Sequence, residues 1–439
     1  MKSNKSARSD RLIIFGRYPV PGRTKTRLFE TLGPPGAADL QRRLTEETLK
    51  KAREISPYQD IEVEVCFEGG SEPKMRRWLG SDIILSQQVS GDLGERMYAA
   101  FLKAFQSGCR RVVLLGTDIP ELKPDHLKQA FDALLEHDLV LGPSTDGGYW
   151  LMGLNQPIDL FKEITWGTEK VLDQTVARTK EQNLRFCQLE PLTDIDTVDD
   201  LEQWRPDDID RRPYVSIIIP TLNEGQNIEA TIRSARNEEA EIIVIDGGST
   251  DDTVNRATDA GARVEMSPRG RAVQQNRGAE LARGTVLLFL HADTLLPSGY
   301  VAHIFEALMD PRAIGGTFRF KTDLNSPLMK TLEFLTNIRS KCFKLPYGDQ
   351  GIFMRKSVFN LVGGFPELQI AEDLFLVRRL SRRGRIQIAP AEAITSARRW
   401  RRFGLIRTTL INQAIVAGCY LGVSPRVLAS LYKIPGEPT

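Results

Sequence analysis

Acidic residues sit at the ends of apolar runs throughout the second half of the chain. Glu224 closes VSIIIPTLNE at residues 215–224, and Asp246 precedes the glycine pair of EIIVIDGGSTDDT at 241–253. Asp293 lies in LLFLHADTLLP, and Glu372 and Asp373 lead AEDLFLVRRL. A carboxylate at the tip of a buried strand is costly to leave unpaired, so each faces solvent, a ligand or a metal. Strand-end solvation stays open for any one of these acids, since Asp is common in turns. As a set they could share a divalent cation with phosphates, or take the proton of an attacking hydroxyl. The first half pairs acids with a basic loop. Residues 17–28, RYPVPGRTKTRL, put two prolines, a glycine and four basic side chains directly after an apolar run. Such a loop can turn N–H groups and positive charge toward phosphates, or be a solvated loop. Asp118 in LLGTDIP and Asp196 in DIDTVDDL could hold one Mg²⁺ bridging triphosphate oxygens, and Asp146 lies in GPSTDGGYW.

The elements that must position these residues alternate. LIIF, IEVEVCF, VVLL, VSIIIP and EIIVID read as short buried strands, separated by helical stretches such as the one running to about Ile55 and that near residues 127–137. Alternation of this kind builds βαβ units and a mainly parallel sheet. At 439 residues the chain exceeds what one core usually serves. The run QWRPDDIDRRP at 203–213 is charged, carries two prolines and lacks periodicity, so it reads as a linker between domains 1–208 and 214–439.

Composition narrows the function classes. Hydrophobic residues make up 41% and charged residues 26%, with a formal net charge of +2, which gives no global electrostatic case for a nucleic-acid partner. Five scattered cysteines and four histidines form no disulfide or zinc spacing, which suits a reducing cytoplasm. The apolar run after the basic amino terminus is too short for a secretion signal, and no stretch of about 18 apolar residues suggests a spanning helix. The tail after Trp400, RRFGLIRTTLINQAIVAGCYLGVSPRVLASLYKI, has roughly helical apolar spacing behind Arg398, Arg399, Arg401 and Arg402. Two readings follow: it packs back on its domain, or it lies peripherally in an anionic membrane interface.

The second half, from residue 215 to about 400, resembles a family 2 glycosyltransferase of the GT-A fold. VSIIIPTLNE is similar to the family's opening strand and VIDGGSTDDT to its second. The resemblance implies that Asp246 binds the nucleotide base, with Pro220, Thr221 and Glu224 in the same pocket. It implies further that Asp293 ligates Mg²⁺ or Mn²⁺, although HADT matches the Asp-X-Asp motif only at its last acid and His291 takes the first position. Glu372 and Asp373 resemble the Glu-Asp motif whose aspartate is the general base. Arg399 and Trp400 resemble the end of the Gln-X-X-Arg-Trp motif, with Ser396 where glutamine would stand. SPRGRAVQQNRGA, FLHADT and YGDQGIF are closer to the subgroup called radical-SAM/selenodomain-associated transferase 2, or arsenosugar biosynthesis glycosyltransferase. That likeness implies Arg271 and Asn276 beside the nucleotide, and Asp349 and Gln350 near the acceptor.

The first half is similar to the matching transferase 1 subgroup and, more distantly, to nucleotidyltransferases, through KTRL, GTDIP, DGGYW and DIDTVDDL. Arg17, Lys25, Arg27 and Asp146 would then bind the nucleotide, and Asp118 and Asp196 a metal. The expected protein is thus α/β, with two tandem GT-A, Rossmann-like domains. Its expected activity is metal-dependent, inverting sugar transfer from a nucleotide-sugar donor to a small-molecule or lipid-linked acceptor. Nucleotidyl transfer by the first domain and a non-catalytic nucleotide-binding scaffold remain as alternatives.

Overall fold

The computed structural model describes residues 9–204, 214–343, 348–424 and 427–428. The chain divides into two compact units, Met1–Arg211 and Arg212–Thr439. Most of the expected linker, residues 205–213, lies outside the described residues.

In the first unit the strands are β1 (Asp10–Arg17), β2 (Ile61–Glu68), β3 (Ile84–Gln87), β4 (Val112–Leu115), β5 (Leu139–Pro143), β6 (Tyr149–Leu154) and β7 (Phe186–Gln188). They form one sheet in the order β3-β2-β1-β4-β6-β5-β7. β1 runs parallel to both β2 and β4, whereas β6 is antiparallel to β4 and β5. Leu12, Ile13 and Ile14 are fully buried, as expected of a strand covered by helices on both faces. The helix Phe29–Gln59 is kinked at Gly33, whose left-handed φ of 65° lets Pro34 and Pro35 begin a fresh helical run.

The second unit contains β8 (Val215–Thr221), β9 (Ala240–Asp246), β10 (Arg263–Met266), β11 (Val286–Phe289), β12 (Thr294–Leu295), β13 (Ala313–Thr322), β14 (Ile352–Arg355) and β15 (Arg385–Thr395). Their order is β10-β9-β8-β11-β14-β13-β15-β12. β8, β9, β10 and β11 are mutually parallel, so Thr221, Asp246 and the residues after Phe289 emerge at one edge. Two antiparallel pairings bring distant sequence to that edge. Phe289 is registered with Ile352, which sets residues 348–350 beside His291, and Thr294 with Thr395, which sets residues 396–400 beside Asp293. The helix Arg271–Leu281 presses closely on β8: a Cβ at Gly278 would fall 2.4 Å from Ile218 Cγ2.

Candidate active site

The strand edge of the second unit opens into a cavity of about 950 Å³. Pro220, Thr221, Glu224, Arg271, Asp293, Asp349, Glu372, Asp373, Arg399 and Trp400, all expected from the sequence, line it together with His291 and Arg398. Asp246, Asn276 and Gln350 lie outside its lining, and each is engaged elsewhere. Buried Asp246 accepts the N–H groups of Gly248 and Ser249 at 2.8 and 2.7 Å, folding the glycine loop over its own carboxylate. Asn276 donates to the carbonyl of Phe365 and accepts from its N–H, both at 2.9 Å. Gln350 takes a hydrogen bond from Ser340 and donates to the Phe318 carbonyl, both at 3.0 Å.

Charge within the cavity is paired across long sequence separations. Glu372, almost fully buried in the first turn of helix Glu372–Ser381, lies 3.4 Å from the Arg271 guanidinium. Burial raises its carboxyl, Arg271 opposes this and Asp373 adds to it. Asp373 has its Oδ2 on the Gly348 N–H and its Oδ1 on the Leu374 N–H, both at 2.7 Å. Gly348 is fixed by steric necessity: a Cβ there would stand 2.8 Å from His291 Nε2 and 3.2 Å from Asp373 Oδ2. Burial, with Arg271 nearby, drives the His291 imidazole down to about 3, so the ring is neutral and offers a lone pair rather than a charge.

Arg398 is the residue that sequence reasoning missed. Its guanidinium makes a bidentate pair with Glu224, with Nη1 on Oε2 at 2.8 Å, and reaches Asp293 Oδ2 at 3.4 Å. The arginine run carried the signal, but the motif likeness directed attention to Arg399. Asp293 is buried enough to raise its carboxyl, against the pull of Arg398 and with Glu224 adding to the rise. Two other orphaned groups face this region. Asp349 Oδ1 and Trp400 Nε1 are buried with no hydrogen-bond partner among the described residues. Burial pushes the Asp349 carboxyl up to about 7, with Arg339 opposing and Asp373 and Asp293 contributing. Among the described residues, no group of three or more His, Cys, Asp or Glu could hold a metal by itself. The donor set still fits Mg²⁺ or Mn²⁺ of the kind shared with substrate phosphates, because one half-buried carboxylate and a neutral imidazole would leave positions for phosphate oxygens and water.

In the first unit the acids and cations satisfy one another. Lys25, at left-handed φ 49°, buries its side chain and donates to the Ile195 carbonyl at 2.5 Å, with Asp118 Oδ1 at 3.2 Å. Arg27 pairs with Asp196 at 2.9 Å, and Ile195 N–H to Asp118 carbonyl, 2.9 Å, holds the two acidic segments side by side. Asp146 folds onto the Gly148 N–H at 2.9 Å. Burial raises Asp196, which Lys25 counters and Asp118, Arg27 and Asp146 modulate; Asp194, bonded to Ser144 at 2.9 Å, is raised likewise by burial and by Asp146. Arg17 points to the β2 side, paired with Glu68 at 2.7 Å.

Comparison with known proteins accords with this division. Residues 216–362 match the family described as Glycosyl transferase family 2, and residues 51–168 that described as Uncharacterized protein conserved in bacteria (DUF2064). Each match lies within one of the two units and covers less than half of the chain. It is 31% identical over 168 residues to the PGL/p-HBAD biosynthesis glycosyltransferase of Mycobacterium bovis (strain BCG / Pasteur 1173P2), covering 35% of this chain and 63% of that one. Glycosyltransferase AglE of Haloferax volcanii is 24% identical, over 35% of this chain and 56% of its own length. The chain thus spans less than two thirds of either curated relative. A solved structure, the putative nucleotide-diphospho-sugar transferase from Desulfovibrio desulfuricans G20, is similar at 34% identity, with a TM-score of 0.41, over 45% of this chain and 87% of that one. Each unit holds a mixed, mostly parallel sheet with alternating helices, an α/β architecture.

Proposed function

We propose that the second unit is a glycosyltransferase moving a sugar from a nucleotide-sugar donor to an acceptor hydroxyl, with inversion at the anomeric carbon. The observation that carries it is the cavity in which Asp373, Glu372, Arg271, Asp293 and Arg398 converge from both ends of the unit. In this reading the acceptor oxygen attacks the anomeric carbon, its proton passes to the Asp373 carboxylate, and the bond to the nucleoside diphosphate breaks on the opposite face. A positioned carboxylate base of this kind contributes about 10²–10⁴-fold. Gly348 N–H and Leu374 N–H orient that base, and Glu372 keeps Arg271 aimed into the cavity. Arg271, Arg398 and Arg399 supply positive charge for the departing pyrophosphate. A divalent ion bound at Asp293 would add charge neutralisation at the same oxygens.

The finer kinship with the radical-SAM/selenodomain-associated subgroups belongs to the same proposal, as do a cytoplasmic location, a small-molecule or lipid-linked acceptor, and peripheral membrane contact through the tail. A second activity in the first unit is favoured by one observation. Asp118 and Asp196 are held side by side with Lys25 and Arg27 against them, an arrangement that a cation with triphosphate could take up in place of those ion pairs. Nucleotidyl transfer there would make the donor used by the second unit.

A thermal-shift panel of UDP, GDP, TDP, CTP and GTP, with and without Mn²⁺, tests both. A metal-dependent shift with one diphosphate, lost in Asp293→Ala and kept in Asp118→Ala, is expected. A shift only with a triphosphate, lost in Asp118→Ala, would instead make nucleotidyl transfer the leading activity.

A further inference from the structure

Two helices of the second unit turn apolar faces outward. In Pro327–Phe343 the inward side holds buried Met329, Glu333 bonded to the Thr322 N–H at 2.7 Å, Asn337 bonded to the Phe320 N–H at 2.8 Å, and buried Ser340. The opposite side shows Leu328, Phe334, Leu335 and Ile338 to solvent, with Phe334 64% exposed. Helical spacing puts these four side chains on one face. In Leu405–Tyr420 the inward side, with Ile411, Ile415 and Cys419, packs on Leu374 and Phe375 of the helix bearing the candidate base. Its outward side shows Ile406 and Leu410, 68% and 64% exposed, and Leu421 follows exposed beyond its end. A helix apolar on both sides needs a second apolar neighbour.

The two helices start from one corner. Asp323, four residues before Pro327, accepts the Ala397 N–H at 2.7 Å and pairs with Arg401 at 3.1 Å. That corner is basic: residues 398–407 hold Arg398, Arg399, Arg401, Arg402 and Arg407 and no acid, in a chain whose formal net charge is +2. Apolar side chains flanked by concentrated arginine suit an anionic bilayer interface, where each cation near the surface adds about 1 kcal/mol. No helix among the described residues is long and apolar enough to cross a membrane, so the contact is interfacial.

We infer that the outward faces of Pro327–Phe343 and Leu405–Tyr420 together form a docking surface for an anionic lipid bilayer, set beside the cavity that Asn412, Ile415 and Val416 help to line. This rests on the peripheral contact proposed for the tail and extends it to a helix that the sequence did not single out.

Flotation of the full chain with phosphatidylcholine vesicles, with and without phosphatidylglycerol, tests it. The wild type is expected to float with anionic vesicles only and to be released by high salt. Phe334→Glu with Leu335→Glu, and separately Ile406→Glu with Leu410→Glu, should each weaken flotation by on the order of tenfold or more. Both variants should keep the nucleotide-induced thermal shift, which shows that they are folded. Loss only in the Ile406/Leu410 variant would leave the tail contact standing and overturn the two-helix surface. Absence of wild-type flotation would overturn both, and so would a dimer in solution that the Phe334/Leu335 variant turns into monomer.

Discussion

The two units set acids at the edges of similar sheets and treat them differently. In the first, Lys25 is spent on Asp118 and Ile195, Arg27 on Asp196 across 169 residues of sequence, and Arg17 on Glu68, so each cation closes on a single acid. In the second, Arg271 and Arg398 reach their acids across 101 and 174 residues of sequence, and the groups converge around a cavity of about 950 Å³. A strand-end carboxylate therefore says little about chemistry until its cation is known. A cation closed on one acid neutralises it, whereas cations gathered with several acids around a cavity, as Arg398 is with Glu224 and Asp293, can frame a binding space.

The contrast can be broken in several ways, the largest effect first. Asp373→Asn should lower turnover by about 10²–10⁴-fold with nucleotide binding unchanged, read as initial rates of donor consumption beside the thermal shift. Full turnover in that variant would remove Asp373 as the base. Asp293→Ala should abolish the Mn²⁺ dependence of nucleotide binding, at least about a tenfold change in apparent Kd, while Asp118→Ala leaves it intact. Equal effects of the two would erase the distinction between the sites. Lys25→Ala should cost the first unit about 1–3 kcal/mol, because it leaves Asp118 and the Ile195 carbonyl short of a partner. Urea unfolding that gives an unchanged midpoint would show the pair to be inert.

A further expected effect is one of pH. The Asp349 carboxyl is raised from 3.8 to about 7, so between those values the native state holds a proton that the unfolded chain has released. Its contribution to stability is therefore present below about pH 4 and lost as pH rises to about 7. Asp349→Asn should flatten that part of the melting-temperature profile measured without added metal. A profile identical to wild type would mean that Asp349 is ionised throughout.

Much of the fold was legible because it rests on local signals. The runs LIIF, IEVEVCF and VSIIIP each report a buried parallel strand by composition alone, and all three appear as strands of the sheets. Strand direction was less visible: β6 and β14 run antiparallel, and nothing in YWLMGL or IFMR records which way a strand will lie. The site was legible by motif and illegible by contact. Asp293, Glu372 and Asp373 could be named from sequence, but the partnership of Glu224 with Arg398 depends on the pairing of Thr294 with Thr395, a tertiary event. For the same reason Asp246 and Asn276, prominent in the motifs, bind backbone rather than line the cavity. The kink at Gly33 inside a single helical stretch was likewise invisible to periodicity.

The two-residue strand β12 has a bearing on when the molecule becomes competent. Thr294 and Thr395, whose hydroxyls meet at 3.1 Å, are separated by 101 residues, and the wall bearing Arg398, Trp400 and Ile415 follows the second of them. At synthesis rates of about 5–20 residues per second, Asp293 waits roughly 5–20 s for that wall and Glu224 roughly 9–35 s. A nascent chain halted before Arg385 should accordingly display the motif residues in an open trough that retains no nucleotide, and competence should arrive abruptly as β15 docks.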